Sequence, residues 1–221
     1  DKGLDVIADG MSEGREVFVN IGKYIRATLV SNFGNFFAVI VSLFFIPTLP
    51  MLPIQILLLN LLSDFPMTAI CLDTVESSDV RRPVALPIRS LLLFCLALGI
   101  VSTIFDFMFF SIYYQLAPTH LQVMWFLASV CTELVLIFSL RTSKWFFQAV
   151  RPPKLLWCAT GLAAAAAVVV TLIQPFRAWF SFPRPTLPLI GITLVLVIAY
   201  FLCTDLCKKF YLHWVHPLAE S

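Results

Sequence analysis

Three carboxylates, Asp64, Asp106 and Glu133, fall inside long apolar runs of the sequence. A charged group at the centre of a bilayer costs about 2.5 to 3.5 kcal/mol on insertion scales, so such residues mark ion paths or specific interhelical bonds. Asn60 precedes Asp64 by four residues, which puts both on one face of a helix. Ser63 adds a hydroxyl beside them. Pro66 removes a backbone donor and crowds the carbonyl of residue 62, so a bend or local unwinding that frees carbonyl oxygens is expected there. Carboxylate, amide, hydroxyl and free carbonyl are the oxygen ligands that a hard cation takes. The competing reading makes Asp64 and Asn60 hydrogen-bonding glue between neighbouring helices.

A second polar break, Asn32, Gly34 and Asn35, lies in the preceding apolar run. Gly34 admits a second helix closely, and Asn35 can face the side of Asn60 and Asp64, as a ligand or as an interhelical hydrogen bond. Glu133 follows Thr132 in mid-run, and Asp106 follows Ser102 and Thr103. Each is either a site carboxylate or a protonated, hydrogen-bonded one. The candidate metal-binding set is therefore Asn35, Asn60, Ser63, Asp64, Asp106 and Glu133. Asp205 lies near a helix end, within reach of water, Lys208 or Lys209, and reads as structural.

The elements that must carry these residues follow from composition. With 60% hydrophobic and 13% charged residues among 221, the chain has too few charges to cover a globular surface. A bilayer span needs about 20 predominantly apolar residues, and such runs occur at about 27–45, 54–72, 88–115, 121–140, 155–175 and 187–206. The expected fold is an all-α membrane protein, a bundle of six transmembrane helices. Upstream, Val6, Ile7, Met11, Val17, Phe18, Ile21 and Ile25 recur at helical spacing, with Ser12 and Glu16 near an expected helix start. This predicts that the first helix extends out of the membrane as a stalk. Three prolines in 46–53 end the first span. A polar loop covers 73–87, a tight turn at Pro118 pairs the third and fourth spans, and a basic, aromatic loop covers 145–154. The alanine run 163–167 permits close helix approach.

The net charge of +2, with basic residues at the ends of apolar runs, excludes a nucleic-acid surface. Placing the N-terminus inside leaves thirteen Lys and Arg on that side and only Arg177 and Arg184 outside. Basic residues are retained in the cytoplasm, so both termini are expected there, in a plasma (inner) membrane. The six cysteines form no CxxC and have no companion histidines at ligand spacing, so they read as small buried hydrophobes. The first residues carry acids where a secretory signal has a basic stretch, and read as the middle of a longer protein.

The run Glu13-Gly-Arg-Glu-Val-Phe, Lys23-Tyr-Ile, Ser31-Asn-Phe-Gly-Asn35, Leu49-Pro-Met-Leu-Pro-Ile-Gln55 and Asn60-Leu-Leu-Ser-Asp64 resembles the fifth and sixth membrane helices of P-type ATPases. The resemblance covers nearly the whole chain, resting after about residue 142 on hydropathy and helix number. It implies helices five to ten of a ten-helix pump, with 1–22 the end of a phosphorylation domain and its stalk, and 23–221 the transport domain. The calcium-pump pattern of asparagine, hydroxyl and aspartate carries over to Asn60, Ser63 and Asp64, and Glu133 falls near an eighth-helix carboxylate. Asn35 replaces their usual glutamate. The form of 31–35, with Ser102-Thr-Ile-Phe-Asp106 downstream, is closer to the magnesium-transporting branch. Ser63 stands where a bulkier residue is expected in a magnesium pump, which keeps calcium or another cation open. The resemblance implies Mg2+ as cargo, lipid and the remaining helices and cytoplasmic domains as partners, and ATP bound in those domains. No Asp-Lys-Thr-Gly-Thr or Thr-Gly-Glu motif occurs in the 221 residues, so this segment is expected to be catalytically inert alone. The reading of a different class is a stand-alone channel or assembly subunit.

Overall fold

The computed structural model describes residues 2–45, 49–76, 80 and 87–215. Six of its helices are long and apolar enough to cross a membrane. We label them α1 (Lys2–Phe45), α2 (Pro53–Thr68), α3 (Ile88–Leu116), α4 (Leu121–Leu140), α5 (Lys154–Leu172) and α6 (Leu187–Phe210). No strand occurs among the described residues.

At a rise of about 1.5 Å per residue, α1 is about twice as long as the roughly 30 Å hydrocarbon core. Its first half therefore projects beyond the bundle. Residues 5–14 of this stalk are exposed, as are the apolar side chains of Val6, Ile7, Met11, Val17 and Phe18. The helix is continuous from Lys2, so the start expected at Ser12 is absent. The polar residues there sit on an exposed helix, where no cap is needed.

Pro53, in the first turn of α2, has no amide hydrogen to leave unsatisfied. Buried Gln55 accepts from the Leu52 amide at 2.8 Å and donates to the Phe180 carbonyl at 2.8 Å, tying this end of α2 to the segment between α5 and α6. The unwinding expected at Pro66 does not occur. The α-helix continues to Thr68 and then tightens into a 3-10 turn, Ala69–Leu72. Similarly, the fifth span stops at Leu172 rather than 175, because extended Ile173 breaks the helix and Pro175 opens a separate short helix, Gln174–Trp179. The last span runs past 206 to Phe210 and closes in a π-helical turn, Tyr211–Val215.

The bundle is built around α4. Of its apolar stretch 78% is buried, against 28 to 39% in the other spans. It packs on α2, α3, α5 and α6, while α1 packs chiefly on α3. The α1–α3 crossing is made by glycines: a Cβ on Gly34 would sit 2.7 Å from Ser102 Oγ, and one on Gly99 would sit 3.1 Å from Phe33 Cβ. Buried Asp205 and Lys208 pair at the end of α6. Ser139 donates to Asp205 Oδ1 at 3.0 Å, and Lys208 Nζ donates to the carbonyls of Ser139 and Lys144 at 2.8 and 2.9 Å. The structural role expected for Asp205 is thus met inside the protein rather than in water. All six cysteines are free, but only Cys95 is fully buried. Cys71 and Cys158 are exposed on their helices, so burial does not describe the set.

Candidate cation site

Asn35 lies midway along the membrane part of α1, four residues beyond Ser31 and on the same face. Its side chain reaches α4, where Nδ2 donates to Glu133 Oε1 at 2.6 Å. Glu133 is 4% exposed. The hydroxyls of Ser31 and Ser63 also approach its carboxyl, and Asp64 is near enough to act on it electrostatically. Its second oxygen, Oε2, is buried with no hydrogen-bond partner among the described residues, as is Ser129 Oγ one turn earlier. Buried polar atoms are nearly always paired, so these two unpartnered atoms on one face of α4 stand out, alongside Asn20 Oδ1 and Thr204 Oγ1 elsewhere among the described residues.

α2 brings its candidates to the same region on two faces. Ser63 is 1% exposed, and its hydroxyl donates back to the carbonyls of Leu59 and Asn60 at 3.1 and 3.2 Å. Asn60 is half-buried and lines an open groove of about 460 Å³ between α1 and α2, together with Asn32, Asn35 and Phe36. Asp64, one turn further along the Asn60 face, is exposed. Asn35 therefore touches both the groove and Glu133. The expected alignment of Asn35 with Asn60 is present across the groove, but the partner that Asn35 bonds is on α4.

Asp106 makes its hydrogen bond elsewhere, although it is near enough to Glu133 to interact with it electrostatically, as Asp64 is. It is 6% exposed and accepts from Trp125 Nε1 at 2.8 Å, so its bond runs to α4 at a level two turns beyond Glu133. No group of three His, Cys, Asp or Glu side chains close enough to hold an ion occurs among the described residues. Around Glu133 come the Asn35 amide, the Ser31 and Ser63 hydroxyls and the charge of Asp64, while Asn60 shares only the groove with Asn35.

Residues 48–210 match the family described as cation transporting ATPase, C-terminus. The chain is 30% identical over 224 residues to the magnesium-transporting ATPase, P-type 1, of Escherichia coli K12, covering 96% of this chain and 24% of that protein. It is likewise 30% identical over 218 residues to the protein of the same name in Salmonella typhimurium LT2, with the same coverage. The chain belongs to the P-type cation-transporting ATPases. A calcium-transporting ATPase of Bacillus subtilis is more distant, 29% identical over 157 residues, or 67% of this chain and 18% of that protein. The chain thus spans about a quarter of the magnesium-transporting relatives. In this P-type ATPase segment, sequence reasoning missed Ser31, Ser129 and Trp125. The first two were within reach of it, since each stands four residues before a candidate, at Asn35 and Glu133, on the same helical face. Trp125 carried no such signal, because an indole in an apolar run ordinarily reads as core.

Proposed function

We propose that this chain is the cation-binding membrane half of an ATP-driven pump that carries magnesium across the plasma membrane, with both termini in the cytoplasm. The observation that carries the reading is the convergence of α1, α2 and α4 on Glu133. There an amide, two serine hydroxyls and a second carboxylate approach a buried carboxyl that keeps one oxygen unpartnered. Magnesium dehydrates reluctantly and is held by one or two carboxylates with several waters retained, whereas calcium takes six to eight oxygen ligands. Two carboxylates supplemented by amides beside an open groove suit a partly hydrated magnesium ion. The names of the relatives at 30% identity point the same way.

In this reading Asn35, Asn60, Ser63, Asp64 and Glu133 contact the ion or its waters. Asp106 bonds Trp125 outside that shell. The groove between α1 and α2 is completed by helices that precede this segment in the pump, and ATP is used in the cytoplasmic domains. Calcium is the second reading, favoured by the match to the Bacillus subtilis protein. Membership of the pump family weighs against the free-standing channel.

The test is Asp64→Asn in the full-length pump reconstituted in vesicles, with ATP and magnesium held at saturation on the ATP side. Loss of cation uptake and of cation-stimulated ATP hydrolysis, with an unchanged melting temperature, is expected. Uptake at the wild-type rate would make Asp64 structural. Comparing magnesium with calcium on the uptake side decides the cargo.

A further inference from the structure

Asp73 stands directly after the 3-10 turn that ends α2, and its side chain is completely buried. Two cations from two other helices close on it. Lys23 of α1 donates to Oδ2 at 2.9 Å, while Arg141, at the end of α4, donates from Nη2 to Oδ1 at 2.6 Å and from Nε to both oxygens at 3.1 Å. Backbone bonds reinforce the junction. Asn20, about one turn before Lys23, donates to the carbonyls of Asp73 and Cys71 at 2.7 and 3.3 Å, Lys23 donates to the Thr74 carbonyl at 3.2 Å, and Arg141 Nη1 donates to the Val150 carbonyl at 2.7 Å.

The helices that meet here are the ones that carry the cation site. α1 bears Asn35, α2 bears Asn60 and Asp64, and α4 bears Glu133. Each member of the triad lies about 12 to 20 Å along its own helix from those residues. Helices are stiff over that distance, so the relative height and rotation set at Asp73 is transmitted to the contact between Asn35 and Glu133. The triad holds two positive charges and one negative. Neutralising the carboxylate leaves two buried cations facing each other across α1 and α4, which costs far more than removing one cation and leaving a matched pair.

We propose that Lys23, Asp73 and Arg141 form a positioning clamp that holds α1, α2 and α4 in the register the cation site requires. The proposal rests on the transport reading above. Its signature is a change in apparent cation affinity that follows the charge imbalance, without a matching loss of maximal rate.

In the full-length pump in vesicles, the half-saturating cation concentration for ATP-driven uptake is measured beside the melting temperature. Asp73→Asn is expected to raise that concentration at least tenfold, Lys23→Met about threefold and Asn20→Ala less, with the maximal rate within about twofold of wild type. Lys23→Arg is expected to restore nearly normal affinity. Should Asp73→Asn fail to fold, the graded order of Asn20→Ala, Lys23→Met and Lys23→Arg carries the same test. If the folded variants keep wild-type half-saturation, or lose only yield and maximal rate, the clamp has no positioning role and the proposal is overturned. A wild-type pump that shows no saturable cation uptake overturns the transport reading, and the clamp falls with it. These two failures are read on different proteins.

Discussion

Glu133 Oε1 is held by Asn35 at 2.6 Å, whereas Oε2 has no partner among the described residues. The two oxygens therefore answer to different substitutions. Glu133→Gln keeps an oxygen that can accept from Asn35 but removes the charge a cation needs. The full-length variant is expected to melt at or above the wild-type temperature and to need at least tenfold more cation for half-maximal uptake. Asn35→Ala does the reverse to the fold: it strips the donor from a buried acceptor, which costs about 1 to 3 kcal/mol. Its melting temperature is expected to fall, and cation affinity with it. Equal melting of both variants and wild type would show that the Asn35–Glu133 contact carries no stability. Asp106 gives a contrast at this scale. Its bond to Trp125 occupies one oxygen inside the bundle.

The contact between Asn35 and Glu133 depends on how α1 lies against its neighbours, and Gly34 sets that. A methyl group there would come within 2.8 Å of Ser102 Cβ, an atom anchored directly to the α3 backbone and unable to swing aside. Gly34→Ala is expected to cost about 1 to 3 kcal/mol by overpacking and to shift Asn35 away from α4. Thermal melting reads the first effect, and cation half-saturation reads the second. Gly34→Ala paired with Ser102→Gly is expected to recover most of both, since the double change restores the space. Six spans, the stalk and the close approach at Gly34 were legible in sequence, because apolar length and a missing Cβ act locally. The partner of Asn35 was not. Helical periodicity says which residues share a face, but not which of five other helices that face meets, and only the central placement of α4 brings Glu133 there. Pro66 misled for a related reason. Its lost hydrogen bond is absorbed within a helix that is packed on both sides of it, where Met67 and Ser63 are buried, and the backbone tightens only at Ala69.

At the scale of the whole molecule, the two buried ionic clusters lie at one end of the bundle, the end where the α1 stalk and the Tyr211–Val215 turn lie. Asp73 with Lys23 and Arg141 secures α1, α2 and α4 there, and Asp205 with Lys208 secures α4 to α6. Further described basic residues lie at the same end, including Lys144, which pairs with Glu76, and Lys209, which lies 6.0 Å from the Trp145 ring centre. Among the described residues, Arg177 and Arg184 are the basic residues at the opposite end. Because translocation across the membrane disfavours Lys and Arg in short loops, this asymmetry is the basis for proposing that this end faces the cytoplasm. Ala178 and Gln148 are exposed and lie at opposite ends of the bundle, the first in the short helix before α6 and the second between α4 and α5. Neither carries a charge, so replacing them leaves the bias intact. In the full-length pump with its native cysteines replaced, Ala178→Cys is expected to react with a membrane-impermeant maleimide added to intact cells. Gln148→Cys is expected to react only after the cells are permeabilised. The opposite pattern would invert the bundle and place the Asp73 clamp outside, at the end away from any ATP-driven motor.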